Sequence, residues 1–544
     1  MKRLLKKSVI IPVLACGLFL TTTAFKNDFF EIAKQLEIFT TLFKELNMNY
    51  VDETNPGDLM DTAIKSMLAD LDPYTNFMNE QDVEAARINN TGDYTGIGAK
   101  IKTLKDKLIV IEPYKDYPAD KAGLKAGDEI LKVGNILIQD YKDNAGELLR
   151  GVTGSSVEVT YKRQGKTFTT TIDRAEVEIK AVPYYSKIND NTGYIVLSRF
   201  NEKAASETNY ALRDLKAQGA QRIILDLRGN PGGLLNEAIK IVNLFVPKGQ
   251  LVVTTKSKVK KYNKTYYTQD EPIDTEIPLV VLIDGSSASA SEIVSGSLQD
   301  LDRAVIVGSR SFGKGLVQRP KQLIYGTQVK ITISRYYTPS GRCIQALDYW
   351  HRNEKGEAVR VKQENYNEYK TKSGRKVFDG GGIFPDARVE TSNNPAITNA
   401  ILKNNLIFDF ATKYYYNHKV ENIDNFKLTD SDFNDFKSYL KSNNFSFETE
   451  TEKALNKAYE AATKEELNIT IDKDFKTLIN NLNKSKTSIL DDNKDYLLEL
   501  LTEEIVKRYV YREGLYDYYK THDNEIKKAT EILSNPSVYN GFLR

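Results

Sequence analysis

The sequence predicts an α/β protein: a core of alternating strands and helices, preceded by a β-rich domain, with helical regions at both ends. Three observations carry this. From Gly193 onward, short apolar runs rich in Val and Ile alternate with segments whose apolar residues recur at helical spacing. Between Gly92 and Arg174 the pattern changes to strands at short intervals broken by many glycines. At the two ends, Phe29, Ile32, Ala33, Leu36, Phe39, Phe43 and Leu46, and later Phe433, Phe436 and Leu440, repeat every three or four residues among charged neighbours.

At 544 residues the chain is long enough for about three to four domains. Its 76 Lys+Arg and 74 Asp+Glu give a net charge of +2, so composition offers no argument for nucleic acid or for an acidic substrate. Met1 to Lys7 is basic, Ser8 to Leu20 is mostly apolar, and small residues follow to Phe25. This is a secretory signal pattern, too short for a comfortable membrane span, with an uncleaved anchor as the competing reading. Val-Leu-Ala-Cys16 loosely matches a lipidation box, but Leu18 to Leu20 continue the apolar run past it. If the signal is removed, Cys343 is the one cysteine left, and no internal disulfide forms.

The expected order is therefore a signal peptide or anchor (1–25), an N-terminal helical region (26–91), a β-rich domain (92–175), an α/β core (176–390) and a helical accessory domain (391–544). In the β-rich domain strands are expected at Gly96 to Ile101, Leu108 to Ile111, Glu129 to Val133, Val157 to Tyr161 and Phe168 to Ile172. In the core, strands at Tyr194 to Leu197, Arg222 to Leu227, Val280 to Ile283 and Ala304 to Val307 alternate with helices at Ala204 to Leu215, Leu234 to Phe245 and Ile293 to Leu298. Residues 346–378 are polar and charged and read as a surface insertion.

The chemistry concentrates between residues 279 and 318. Gly308-Ser-Arg-Ser-Phe-Gly-Lys314 fits all but the last position of a phosphate loop, but Gly315 has no hydroxyl for Mg²⁺, and Pro320 stops the helix a phosphate would need. Ser289-Ala-Ser-Glu292 sits where a buried strand turns into a helix. By itself it reads as a capping box, yet the same place suits a nucleophile. The three histidines, His351, His418 and His522, all lie outside this segment, which argues against a Ser-His-Asp triad and, without paired cysteines, against a catalytic zinc. A lysine can serve as base when burial removes its proton, and Lys314, beside Phe312 after a buried strand, is the candidate.

Pro118-Ala-Asp-Lys-Ala-Gly-Leu-Lys-Ala-Gly-Asp-Glu-Ile-Leu131 resembles the signature of PDZ domains. Gly96, Ile97 and Gly98 would then form a loop whose N–H groups capture a peptide's terminal carboxylate, with the next strand pairing to the peptide. Further blocks widen the resemblance: Leu71-Asp-Pro-Tyr-Thr75, Asp226-Leu-Arg-Gly-Asn-Pro-Gly-Gly233, Ser287-Ala-Ser-Ala-Ser-Glu292, Phe312-Gly-Lys-Gly-Leu-Val-Gln318, Tyr337-Thr-Pro-Ser-Gly-Arg342 and Asp379 to Asp386. Together they make the chain similar to the C-terminal processing peptidases, or tail-specific proteases. That resemblance implies a crotonase-like protease core with an inserted PDZ domain. It implies Ser289 as nucleophile, Lys314 as general base and Gln318 as the residue that orients the base, with no metal or cofactor. Ala290 N–H, next to the nucleophile, and Gly232 N–H, preferred over Gly233, are the oxyanion donors expected beside it. Asp300 matches an acidic position with a structural role.

The function expected is that of a serine endopeptidase cutting exported, periplasmic proteins near their C-termini. Its partners would be proteins with free C-terminal tails, the membrane through the N-terminus, and a second copy or an adaptor, but not nucleic acid. The alternative is a catalytically inactive PDZ scaffold that only binds peptides.

Overall fold

The computed structural model describes residues 29–544 apart from 105, 142–143, 354–355, 357 and 390–394, so the segment read as a signal or anchor lies outside the described residues. Among the described residues no helix is long and apolar enough to cross a membrane. The described residues fall into two compact units, 29–79 with Pro320–Ile331, and Glu80–Arg319 with Thr332–Arg544.

In the first unit a helix over 29–49 is followed by the helix Pro56–Ala69. Asn55 caps the second through Gly57 N–H at 3.0 Å, and proline occupies its first turn, where no N–H is needed. The apolar positions of the first helix follow helical spacing as expected, but Phe29, Leu36 and Leu42 remain more than half exposed. The Leu-Asp-Pro-Tyr-Thr block is a turn built on Asp72, whose carboxylate accepts Tyr74 N–H and Thr75 N–H at 2.8 Å each. The strand that follows, Asn76–Met78, pairs antiparallel with Gln328 to Lys330.

The second unit begins, after the helix Glu80–Thr91, with the β-rich domain. Its sheet runs in the order Ala99–Leu104, Lys107–Pro113, Glu129–Val133, Ser156–Arg163, Lys166–Asp173, so Ala99–Leu104 is an edge strand. Leu108, Val110, Leu124, Ile130, Val159 and Ile172 fill its core. Asp128, fully buried, accepts a two-pronged Arg163 (2.7 and 2.6 Å) and Lys125 N–H (2.7 Å), which is why the Ala-Gly-Asp-Glu turn carries an acid. The short strands Asp93–Gly96 and Ala175–Glu178 pair at the base of the domain, where the chain enters and leaves it.

The core sheet consists of β1 (Tyr184–Asn189), β2 (Thr192–Val196), β3 (Arg222–Asp226), β4 (Leu279–Ile283), β5 (Val305–Gly308) and β6 (Ala387–Arg388), lying side by side in chain order. β1 is antiparallel to β2 and the rest are parallel. The crossovers carry α1 (Ala204–Ala217), α2 (Leu235–Asn243) and α3 (Ala290–Asp300). Strand residues alternate between two hydrophobic cores. Ile195, Ile223, Leu225, Leu279, Val281, Ile283 and Ile306 pack with α1 to α3. Tyr194, Val196, Ile224, Val280, Leu282, Val305 and Val307 pack with Ile526, Ala529, Ile532 and Leu533 from the far C-terminus.

The second face is thus closed by the tail of the chain. The long helix α4 (Lys494–His522) kinks at Tyr511, and α5 (Asn524–Ser534) then lies on the sheet. Polar contacts fix α5 and the helix Pro536–Phe542 that follows it. Tyr539 OH accepts Leu279 N–H at 3.0 Å, and Arg228 pairs with Asp226 (2.7 Å), Asp523 (2.6 Å) and Glu525. Helices from Pro395 to Ser442 and the start of α4 share a separate core around Phe410, Phe433, Phe436 and Leu501. Residues 346–378, read as an insertion, contain two hairpins, Leu347–Arg352 with Ala358–Arg360 and Glu368–Lys370 with Lys376–Phe378.

Candidate active site

β4 is buried along its whole length and ends at Asp284. The Asp284 carboxylate accepts Ser286 N–H and Ser287 N–H (2.9 Å each), folding the chain back at once. Ser287 and Ser291 point away from solvent, donating to Leu227 O (2.8 Å) and Asn230 O (2.9 Å) and pinning the turn to the neighbouring glycine-rich loop. Ser289, between them, is half-buried and takes φ 55°, ψ −110°. A serine pays about 1–3 kcal/mol for such a conformation, and it persists only where surrounding bonds enforce it. A strained strand-to-helix turn of this kind lifts a nucleophile's oxygen off the sheet in α/β hydrolases.

Those bonds come from Glu292, one turn into α3. Its side chain is completely buried. Oε2 accepts Ser289 N–H at 2.8 Å and Lys314 N–H at 2.9 Å, while Oε1 accepts Gly313 N–H at 2.7 Å and Ser311 Oγ–H at 2.6 Å. Burial nevertheless pushes its carboxyl up to about 7, with the hydrogen bonds pulling the other way. The capping-box reading of Ser289 to Glu292 therefore describes one of four contacts.

The Phe-Gly-Lys-Gly loop is held on its other side as well. Gly315 N–H reaches Gln345 Oε1 (2.7 Å), and Gly315 O accepts Tyr336 N–H (3.0 Å). The Tyr336 hydroxyl lies 3.2 Å from Ser289 O and 2.5 Å from Lys314 O. Gly313 is required: with φ +89°, an added Cβ would fall 2.4 Å from Ala346 Cβ. Lys314 itself is half-buried and Phe312 beside it is exposed. The backbones of Ser289 and Lys314 are thus brought together by Glu292 and Tyr336.

The glycine-rich loop after β3 packs directly on Ser289. A Cβ built on Gly232, whose φ is +96°, would lie 2.9 Å from Ser289 Cβ and 2.9 Å from Ala290 N. Ala290 N–H makes no hydrogen bond among the described residues. Gly232 N–H, the other expected donor, is instead held by Asn230 Oδ1 at 2.9 Å, so it can face an oxyanion only after leaving that contact. Gln318, four residues past Lys314, donates from its amide to Thr332 Oγ1 at 3.2 Å. Asp300 pairs with Arg342 at 2.8 Å, both side chains fully buried, and accepts Ser340 N–H at 2.9 Å, which makes it a structural acid.

The loop Gly96, Ile97, Gly98 leads into the edge strand Ala99–Leu104. The carbonyls of Ile97 and Gly98 turn inward onto Ala119 N–H (2.7 Å) and Tyr114 N–H (2.9 Å). The N–H groups of Ile97 and Gly98 make no hydrogen bond among the described residues, which leaves a nest of donors beside an edge strand. Gly98, at φ +73°, tolerates no side chain, since a Cβ would meet Tyr117 Cβ at 2.4 Å.

Sequence reasoning missed Glu292 as a clamp, Tyr336, and the grip of Asn230 on Gly232. An acid at the third position of the helix was the signal for the first; neither of the others has one.

Family models match three stretches: Peptidase family S41 at residues 191–349, a PDZ domain at 95–173, and the C-terminal helical domain of a probable PDZ-protease at 397–533. The chain is 36% identical over 322 residues to a carboxy-terminal-processing protease of Bartonella bacilliformis, covering 58% of this chain and 73% of that protein. It is 34% identical over 306 residues to a probable CtpA-like serine protease of Staphylococcus haemolyticus, covering 56% of this chain and 61% of the relative. With the carboxy-terminal processing protease CtpA of Bacillus subtilis it shares 33% over 306 residues, 56% of this chain and 65% of the relative. This chain belongs to the carboxy-terminal processing protease family of S41 peptidases and is a serine-type peptidase with a PDZ domain.

Proposed function

We propose that the chain is an endopeptidase that cuts proteins near their C-termini with Ser289 as nucleophile and Lys314 as general base. The observation that carries this reading is the shared anchoring of Ser289 and Lys314 on one oxygen of Glu292, with Ser289 in a strained conformation at the end of a buried strand. Neutral Lys314 takes the proton of Ser289 Oγ, the oxygen attacks a peptide carbonyl, and the protonated lysine returns the proton to the leaving amine. Water then hydrolyses the acyl-enzyme by the same route. Gln318 orients Lys314. Ala290 N–H and Gly232 N–H, once released from Asn230, stabilise the oxyanion; each such donor is worth about 2.7–4 kcal/mol.

The PDZ domain takes the substrate tail. The donors of Ile97 and Gly98 bind its terminal carboxylate, and the edge strand Ala99–Leu104 pairs with the residues before it. The basic and apolar N-terminal segment supports export, placing the enzyme and its substrates in the periplasm.

An unstructured reporter peptide incubated with wild type, Ser289→Ala and Lys314→Ala tests the catalytic assignment, which falls if either variant keeps full activity. Tail reading is tested separately: the free-acid reporter is expected to be cut faster than the same peptide amidated at its C-terminus, and equal rates would refute it.

A further inference from the structure

Arg199 lies in the loop after β2, and this loop is fixed against the base of the PDZ domain. Ser198 N–H donates to Ala181 O (2.9 Å), Asn201 Nδ2 to Ile179 O (3.1 Å) and Glu202 N–H to Asn90 O (2.8 Å). Lys203 pairs with Asp93 (2.8 Å) and Glu178 (2.6 Å), one on each strand of that base. The Gly96 to Gly98 loop starts where the strand Asp93–Gly96 ends.

Within this rigid setting the Arg199 guanidinium is uncompensated. Its Nε is shielded from solvent without a hydrogen-bond partner, and Arg199 makes no ion pair among the described residues. The titratable groups facing it are Tyr114, Tyr516 and Arg512. Arg512 is already held by both oxygens of Glu112, so Arg199 has two phenols and a second cation around it and no anion. Burial lowers the pKa of Arg199, as it does for Arg342 and Arg508, but each of those keeps a carboxylate partner, Asp300 and Glu504, which Arg199 lacks. A half-buried guanidinium with a shielded idle donor, no ion pair and a second cation nearby is costly, and an arriving anion would relieve that cost.

Two neighbours say which anion. Tyr114, which Arg199 faces, donates its backbone N–H to Gly98 O and so forms one wall of the carboxylate loop. On the other side, Phe200, the next residue, donates its N–H to Gly232 O (3.2 Å) and accepts Leu234 N–H (2.8 Å), holding the glycine loop beside Ser289.

We propose that Arg199 binds a carboxylate of the substrate tail, either its terminal carboxylate or an acidic side chain close to it. This rests on the reading that the Gly96 to Gly98 loop receives the tail. Binding there places an anion one residue from the strand bridge that carries Gly232 and Gly233, so the tail is sensed next to the expected oxyanion loop.

The test measures peptide binding to the full chain carrying Ser289→Ala, with and without Arg199→Ala, for three peptides of one sequence: a free acid, its neutral C-terminal amide, and an amide with Glu at the penultimate position. Arg199→Ala is expected to weaken the free acid about tenfold or more while leaving the neutral amide unchanged, and Arg199→Lys to recover part of the loss. A loss that follows the penultimate Glu instead also supports the site and assigns its anion to a side chain. Equal losses for all three peptides, or no loss for any, would overturn the proposal. Unaltered binding of the neutral amide shows that the variant is folded. If the parent prefers the free acid and Arg199→Ala keeps that preference in full, the loop reading stands and Arg199 falls. If the parent shows no such preference but Glu-dependent binding needs Arg199, the loop reading falls and Arg199 stands.

Discussion

Ser289 and Lys314, 25 positions apart in the chain, hang their backbone N–H groups on a single oxygen, Glu292 Oε2, at 2.8 and 2.9 Å. Their carbonyls meet again at the hydroxyl of Tyr336, at 3.2 and 2.5 Å. The residues proposed as nucleophile and base thus have their backbones set on one frame, as a proton exchange within hydrogen-bond reach would require.

Replacing Glu292 by Gln keeps the shape but turns an acceptor of two donors into an amide NH₂ facing them. Unsatisfied buried donors cost about 1–3 kcal/mol each, and a misplacement of about 1 Å at a reacting pair costs about hundredfold in rate. Glu292→Gln is therefore expected to lose about hundredfold in kcat with KM little changed and to melt at a lower temperature. Tyr336→Phe, which removes only the hydroxyl, is expected to lose about tenfold, as one hydrogen bond warrants. Steady-state kinetics on a reporter peptide and thermal unfolding check both.

Two buried acids set a pH dependence of stability. Glu292 and Glu525 are both pushed up to about 7 by burial, against an ordinary value of 4.5. Between pH 4.5 and about 7 the folded chain keeps protons that the unfolded chain has lost, so their contribution is fully present below 4.5, falls as pH rises through about 7, and stays level above. Denaturant titrations across this range should show stability declining with pH. Glu292→Gln and Glu525→Gln should each flatten the slope.

Asp300→Ala would strand Arg342 as a fully buried, uncompensated cation. Breaking such a pair costs about 3–5 kcal/mol, so a large loss of stability is expected by chemical denaturation, partly restored by also replacing Arg342 with Met. A loss of activity without any loss of stability would instead give Asp300 a chemical role.

Gly232→Ala places a Cβ 2.6 Å from Ala288 O and 2.9 Å from Ala290 N, at a φ of +96°. The loop must then shift away from Ser289, and kcat is expected to fall about hundredfold, the scale of losing one oxyanion donor. Circular dichroism should report an unchanged fold.

Much of this was legible in the sequence. The core strands and helices followed from period and β-branching, and Pro320 excluded a long helix after Lys314, where the chain runs as the strand Leu316–Gln322. The turn at Ser289 stood out as a polar break after a wholly apolar strand. Three things were hidden, each for a physical reason. β4 is apolar on both faces, which requires a cover on each side but not that Ile526 to Leu533, more than 200 residues later, supplies one. Glu292 looked like a helix cap because one of its four contacts is a cap; the other three depend on where the Lys314 loop comes to rest. Arg199 is one arginine among many in sequence, and only the absence of an acid around it in space sets it apart.

The most direct measurement is the mass of the enzyme quenched during turnover of a slowly deacylating ester substrate. If Lys314 activates Ser289, one acyl group is found on the peptide containing Ser289, none in Ser289→Ala, and acylation is lost or slowed at least about a thousandfold in Lys314→Ala. Acyl groups on another residue, or an acylation rate unchanged in Lys314→Ala, would contradict it.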